Sequence, residues 1–163
     1  MLKKTAFVLP LVALAIGSSS VFAAGEASSV INIKATIPTK QFHVLPRDPN
    51  FGRDETMNYN PVTGELSSLR ATYDLKNTDG SIHAYIEGGP ASLTNGTSAI
   101  ALTNTFNGVV LTGSPLEVAD DASTTPGTQA DLVVAAAKPA DGVSGLFTTN
   151  YTIVFDHVPR VTQ

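Results

Sequence analysis

The feature that most constrains this chain is a series of short segments in which apolar and polar residues alternate, separated by turn-forming residues roughly every ten positions. The alternation in "SLRATYDLK" and in "SIHAYIEG" is typical of half-buried β-strands. Asp79-Gly80 and Asn107-Gly108 match two-residue hairpin turns. The segment "ADLVVAAAK" predicts a buried strand, and "LFTTNYTIVFDHV" predicts a long alternating last strand. Together these signals favour one antiparallel β-sandwich.

Helical signals are weak by comparison. The best candidate with helical periodicity is "PLEVADDAS", which is short and flanked by Pro115 and Pro126. The segment "DDASTTPGTQ" is interpreted as an exposed loop. Because no repeat and no long linker interrupts the pattern, the sequence predicts a single folded domain over residues 38–163.

The first residues have the pattern of a secretory signal peptide. Lys3 and Lys4 precede the apolar run "TAFVLPLVALAIG", and Val21 and Ala23 supply small residues at the cleavage positions. A membrane anchor is the rival interpretation, but the apolar run is too short to span a bilayer. We therefore expect residues 1–23 to be removed, which leaves 140 of the 163 residues as an exported chain.

Charge and cysteine content exclude several classes of function. The net charge is −4, and removal of the two lysines of the signal peptide makes it −6. A mildly acidic chain without a basic run offers nucleic acid no electrostatic site. The chain has no cysteine, so disulfides, thiolate metal sites and cysteine nucleophiles are excluded.

Catalytic and metal-binding signals are thin. His43, His83 and His157 are far apart in sequence, and none stands near a second ligand in metal-site spacing. The acidic residues of "RDPNFGRDE" lack the ligand register of a calcium loop and indicate a solvated loop. No nucleophile elbow or phosphate-binding loop occurs. The sequence predicts neither an enzyme nor a bound cofactor or metal.

The segment "SSVINIKATIP" begins at Ser28 and forms one more alternating stretch, directly after a polar "AGEASS". Its apolar face comprises Ile31, Ile33, Ala35 and Ile37. Pro38 follows at once and disfavours continuation of a ladder. Residues 24–37 can extend to roughly 45 Å. This arm can pair within its own sheet or with the sheet of another molecule, and the alternation alone allows both.

The order and spacing of several segments resemble the major pilins of the alternate chaperone–usher family, which build class 5, colonisation-factor-type fimbriae and the related cable pili. The segments are "INIKATI", "YNPVTGELSSLR", "RATYDLKNTD", "NGVVLTG", "ADLVVAAAKP" and "GLFTTNYTIVFDHV". The resemblance implies an incomplete immunoglobulin-like β-sandwich that lacks one strand. It also implies a periplasmic chaperone that lends a strand, an outer-membrane usher, identical subunits whose arms replace that strand, a tip adhesin subunit, and location in a surface fimbrium.

Carried over by position, the resemblance implies that Ile31, Ile33, Ala35 and Ile37 are the donor residues and that Pro38 marks the arm junction. Members of the family often place a proline two residues after the last docking residue, whereas here it follows directly. Tyr151, Ile153 and Phe155 are candidate groove or chaperone contacts, although core packing would explain them equally well.

The exported chain has two alternative functions besides that of a major pilin. A secreted carbohydrate-binding sandwich would pair its first strand in cis and present aromatic side chains to sugar, with Phe42, Phe51, Tyr59 and Tyr85 as candidates. A tip subunit of the same organelle would carry an additional lectin-like domain, for which 140 residues leave no room.

Overall fold

The computed structural model describes residues 41–161. They form eleven β-strands and a four-residue helix. The strands are β1 (Phe42–Pro46), β2 (Tyr59–Asn60), β3 (Glu65–Leu66), β4 (Leu69–Asn77), β5 (Gly80–Ile86), β6 (Ser92–Thr94), β7 (Ala99–Phe106), β8 (Val109–Val110), β9 (Leu116–Ala119), β10 (Thr128–Ala136) and β11 (Ile153–Pro159), and the helix is α1 (Asp121–Thr124). The described chain is thus nearly all β, as the sequence predicts.

Two antiparallel sheets make up the sandwich. The large sheet has the order β1-β4-β10-β7-β6, and β8 pairs with β7. The small sheet has the order β11-β5-β9. The short strands β2 and β3 pair only with each other and form a separate hairpin.

Strict alternation explains how the central strands bury one face. In β5 every second residue is buried, from Gly80 through Ile82 and Ala84 to Ile86, and the residues between them are only partly covered. Strand β7 repeats the pattern with Ile100, Leu102, Asn104 and Phe106 turned inward. Because side chains alternate between the two faces of a strand, each sheet contributes one apolar face to a shared core.

One of the two predicted hairpin turns is confirmed. Asn107 and Gly108 both have positive φ, 50° and 81°, and join β7 to β8 with Phe106 opposite Val109. These angles are those of a type I′ turn, whose twist matches that of paired strands.

The second predicted hairpin is wrong. Asp79-Gly80 links β4 to β5, but these strands belong to different sheets and do not pair. The backbone groups of this turn find other partners: the Thr78 amide donates to the Gln41 carbonyl and the Arg160 amide donates to the Asp79 carbonyl. Gly80 is required there because a Cβ would stand 1.9 Å from the Val158 carbonyl oxygen.

The predicted last strand is also shorter than its alternation suggests. Strand β11 begins at Ile153, and the preceding residues form an irregular segment with an isolated bridge between Thr148 and Thr94. The weak helical candidate "PLEVADDAS" contributes to strand β9 and to the four-residue helix α1. No helix in residues 41–161 is long and apolar enough to cross a membrane.

Candidate functional site

A groove of about 960 Å³ opens between the two sheets along strand β11. From the large sheet it is lined by β4, β7 and β10, and from the small sheet by β11. The loop after β1 and the segment before β11 form its two banks. The main apolar lining residues are Phe51, Met57, Leu69, Tyr73, Leu102, Leu132, Val134, Phe147, Tyr151, Ile153 and Phe155.

One edge of β11 has no partner strand in residues 41–161, because β11 is the outer strand of the small sheet. On its other side the Glu87 amide donates to the Thr152 carbonyl and the Arg160 amide to the Asp79 carbonyl. Backbone groups alternate in direction along an antiparallel strand, so those of Ile153, Phe155 and His157 point to the free edge. Their side chains lie on the groove side, paired with the buried face of β5.

Proline closes the series of outward-pointing backbone groups. Pro159 has the same parity as Ile153, Phe155 and His157, but it lacks an N–H. Proline is tolerated at an edge strand for this reason. The free edge therefore offers three complete donor–acceptor positions, and they end where β11 ends.

Aromatic rings pack against one another around Phe155 and form the floor of the groove there. The ring centroid of Phe155 lies 5.0 Å from that of Phe106 and 6.0 Å from that of Tyr73, and the Tyr73 and Phe106 centroids are 5.4 Å apart. Phe51 adds an edge contact with Tyr73 at 6.4 Å. Packing against Phe106 and Tyr73 therefore holds the Phe155 ring in place in the groove.

A hydrogen-bonded pair, Tyr151 and Asn104, fixes the segment that precedes β11. The Tyr151 hydroxyl donates to Asn104 Oδ1 at 2.6 Å, and Asn104 is 1% exposed. Burial raises the pKa of the Tyr151 hydroxyl, and the bond to Asn104 opposes that shift. Burial also raises the pKa of Tyr73, with the neighbouring Tyr151 as a smaller cause. Both hydroxyls are thus neutral near pH 7, as an apolar groove requires.

His157 and Phe42 lie past this groove, toward the end of β11, and line a second, smaller pocket. Their ring centroids are 6.0 Å apart, and His157 Nδ1 lies 3.0 Å from Asn77 Oδ1. The same Asn77 oxygen accepts from the Asp79 amide, while Asn77 Nδ2 donates to the Ser81 carbonyl. This network fixes the Asn77 side chain, so His157 must carry its proton on Nδ1.

The structure locates some of the predicted site residues and not others. Tyr151, Ile153 and Phe155 all line the groove. The donor residues Ile31, Ile33, Ala35 and Ile37, and the junction residue Pro38, lie outside the described residues. The opposite wall, which includes Leu69, Tyr73 and Leu132, was not identified from the sequence. The alternation of β4 and β10 marks these residues as inward-facing, but it does not tell which inward residues border a free edge.

The histidines and acidic residues do not converge. No group of three or more potential metal ligands occurs in residues 41–161. His83 lies on β5 with Nε2 3.8 Å from Glu117 Oε2, far from the groove floor. Asp48 and Glu55 accept hydrogen bonds from nearby loop amides, as expected for turn-stabilising residues.

The four aromatic residues considered for sugar stacking do not share a surface. Phe42 and Phe51 pack against the core cluster. Tyr59 is 57% exposed on the β2–β3 hairpin, and Tyr85 lies on the outer face of β5. A flat aromatic platform is not formed by this set.

Comparisons with known proteins point to a family of fimbrial subunits. The model of the family described as CS1 type fimbrial major subunit matches residues 27–156, which include the alternating N-terminal segment. Among solved structures, the fold is similar to that of the CooA pilin subunit from enterotoxigenic Escherichia coli, with a TM-score of 0.52 and 16% sequence identity. The similarity covers 71% of this chain and 86% of the other. A search of curated proteins found no match.

Proposed function

The chain belongs to the CS1 type fimbrial major subunit family, and on that premise we propose that it polymerises by inserting its N-terminal arm, residues 24–37, into the groove of the next subunit. Membership in the family makes the chain a structural pilin subunit of a cell-surface fimbrium. The proposal concerns how the subunits are joined.

The single observation that carries the proposal is the free edge of β11 above an apolar groove. An exposed edge strand next to apolar side chains is prone to pair with other chains. A strand added there would receive backbone hydrogen bonds from Ile153, Phe155 and His157, and its alternate side chains would enter the groove. Three isoleucines and one alanine on the arm fit that requirement.

The energetics favour such a joint. Burial of three isoleucine side chains contributes roughly 5–9 kcal/mol at about 1.5–3 kcal/mol each. Each new backbone hydrogen bond adds about 1 kcal/mol net. Because the contact joins two different surfaces, it does not close on itself and continues into a filament.

The same free edge supports the remaining partners. A subunit with an exposed groove needs a temporary strand before assembly, which a periplasmic chaperone would supply. We propose transfer from that chaperone to an outer-membrane usher, with Tyr151, Ile153 and Phe155 among the groove residues contacted. Receptor binding would rest mainly with a tip adhesin.

The test is the variant Ile33→Asp, expressed with the assembly proteins of the organelle. A charge on the docking face cannot be buried in an apolar groove, so we expect export to the periplasm without filaments in electron micrographs. Asn32→Asp is the matched control, since it adds the same charge on the opposite face and should permit assembly. Normal filaments from Ile33→Asp, or from a chain lacking residues 24–37, would contradict the proposal.

A further inference from the structure

We propose a specific register for the subunit joint: the arm runs antiparallel to β11 of the next subunit, with Ile37 opposite Ile153, Ala35 opposite Phe155 and Lys34 opposite Asp156. This inference rests on the proposed function, because it assumes that the arm enters the groove. The occupant is the N-terminal segment of a second copy of this chain. Three features of the described residues select this register.

The first feature is where the folded part of the chain begins. The Gln41 carbonyl accepts from the Thr78 amide, and the adjacent Phe42 ring contacts His157. The arm therefore leaves its own domain at the end of the sandwich where β11 finishes. If it ran parallel to β11 of the next subunit, both domains would meet by these same ends. The antiparallel direction brings opposite ends together, which is the arrangement that propagates.

The second feature is the aromatic floor. Phe155 packs against Phe106 and Tyr73, so its ring is held in place and cannot readily move aside for a bulky side chain. The docking face of the arm has one small residue among its isoleucines, Ala35. Placing Ala35 over the Phe155 ring avoids overpacking, whereas an isoleucine there would force side chains from their preferred rotamers.

The third feature is charge on the outer face. Asp156 points away from the groove and has no hydrogen bond or ion pair within residues 41–161. Its neighbour on β5 is His83, which approaches Glu117 on β9. In the proposed register Ala35 pairs with Phe155. The adjacent pair, Lys34 and Asp156, lies on the outer face of the sheet. Opposite charges on directly paired residues stabilise a sheet.

Shifts by two residues lose these matches. A shift toward the start of β11 places Lys34 opposite Val154 and an isoleucine over Phe155. A shift toward its end places an isoleucine over Phe155 again and moves Lys34 opposite Val158, away from Asp156. A shift by one residue would turn the polar face of the arm into the groove.

Cysteine cross-linking tests the register directly, because the chain contains no cysteine of its own. Lys34 and Asp156 would form a non-hydrogen-bonded antiparallel pair, as would Thr36 and Val154, with Cβ atoms about 4.5–5.5 Å apart. Filaments of Lys34→Cys/Asp156→Cys and of Thr36→Cys/Val154→Cys, assembled with the native assembly proteins and then oxidised, should give ladders of covalent multimers on non-reducing gels. The ladders should disappear on reduction.

The matched controls recombine the same four positions. Lys34→Cys/Val154→Cys and Thr36→Cys/Asp156→Cys report the two shifted registers, whose cysteines would be about 7–8 Å apart in the proposed one. Ladders from a control pair and not from the proposed pairs would overturn the register and leave arm insertion intact. Filaments in which no pair cross-links would overturn it too. Failure of arm insertion itself is recognised separately, by assembly of Ile33→Asp.

A charge exchange gives a second readout that requires no cysteine. Lys34→Asp and Asp156→Lys should each lower filament yield by about two- to fivefold, the range expected for a cross-strand charge pair. The double variant Lys34→Asp/Asp156→Lys restores opposite charges and should recover most of the yield. A double variant that assembles no better than the poorer single variant would contradict the pairing of these residues.

Discussion

The two long margins of the sandwich are built from the same kinds of strands but end differently. At the closed margin, β9 of the small sheet faces β8 of the large sheet, and Leu111 and Val118 are only 2% and 3% exposed. The Asn107 side chain donates to the Val118 carbonyl at 2.6 Å and so ties the sheets together. At the open margin, where β11 faces β1, the side chains of Ile153 and Phe155 are only partly buried.

The difference shows which part of the fold residues 41–161 complete by themselves. At the closed margin, the chain turns at Asn107-Gly108 and covers its own core. At the open margin, the described chain leaves apolar side chains of both sheets beside an unpaired backbone edge. Within residues 41–161 the sandwich is therefore closed along one margin and has an open strand position along the other.

The largest expected effect on the free energy of unfolding comes from replacing one of two paired isoleucines by alanine, one on β5 and one on β11. Ile86 and Ile153 are directly opposite each other, but Ile86 is 1% exposed and Ile153 is only partly buried. We expect Ile86→Ala to lower the free energy of unfolding by about 2–5 kcal/mol, and Ile153→Ala by about half as much because less of its surface is buried.

The measurement is urea denaturation of two monomers that lack residues 1–37: one has an empty groove, and the other carries residues 28–38 after Gln163 through a flexible linker, so that the groove is filled in cis. The loss for Ile153→Ala should be about half that for Ile86→Ala in the first monomer, and larger in the second because the added strand covers Ile153. Val62→Ala serves as the control, because Val62 is 92% exposed and does not line the groove, so its truncation should change stability little. Equal losses for Ile86→Ala and Ile153→Ala in the monomer with the empty groove would mean that the two margins do not differ as described.

A smaller effect on the free energy of unfolding is expected in the segment before β11, which forms one side of the groove. Tyr151→Phe removes the hydroxyl that donates to the buried Asn104, whose Nδ2 already has no partner in residues 41–161. Leaving the Asn104 side-chain amide unsatisfied should lower the free energy of unfolding by about 1–3 kcal/mol in the same denaturation assay. Tyr85→Phe is the matched control, since the Tyr85 hydroxyl has no hydrogen bond within the described residues. A loss no larger for Tyr151→Phe than for Tyr85→Phe would contradict an anchoring role.

Much of the closed margin could be predicted from the sequence, because it depends on local patterns. Alternation identified β4, β5 and β10, and the Asn107-Gly108 dipeptide identified a turn whose angles few other residues adopt. The antiparallel sandwich followed from these signals. Local patterns decide which face of a strand is buried and where the chain reverses.

The open margin required the structure, because alternation does not determine which strand lies next to which. Asp79-Gly80 has the same local signal as Asn107-Gly108, yet it connects the two sheets, since its backbone partners come from Gln41 and Arg160. In the same way the inward faces of Leu69 and Leu132 were predictable, but their place beside a free edge was not. The role of residues 31–37 is still a prediction and depends on the tests above.

The smallest expected effect is a coupling energy, measured by a double-mutant cycle in the monomer whose groove is filled in cis. It is the most specific test of the difference between the two margins. If Ile37 packs beside Ile153 at the open margin, Ile37→Ala and Ile153→Ala should be coupled by about 0.5–1 kcal/mol. Ile37→Ala and Ile86→Ala should be additive within about 0.5 kcal/mol, because Ile86 lies one strand further away at about 10 Å. Coupling of Ile37 to Ile86 without coupling to Ile153 would place the added strand away from β11, and the open margin would then need another explanation.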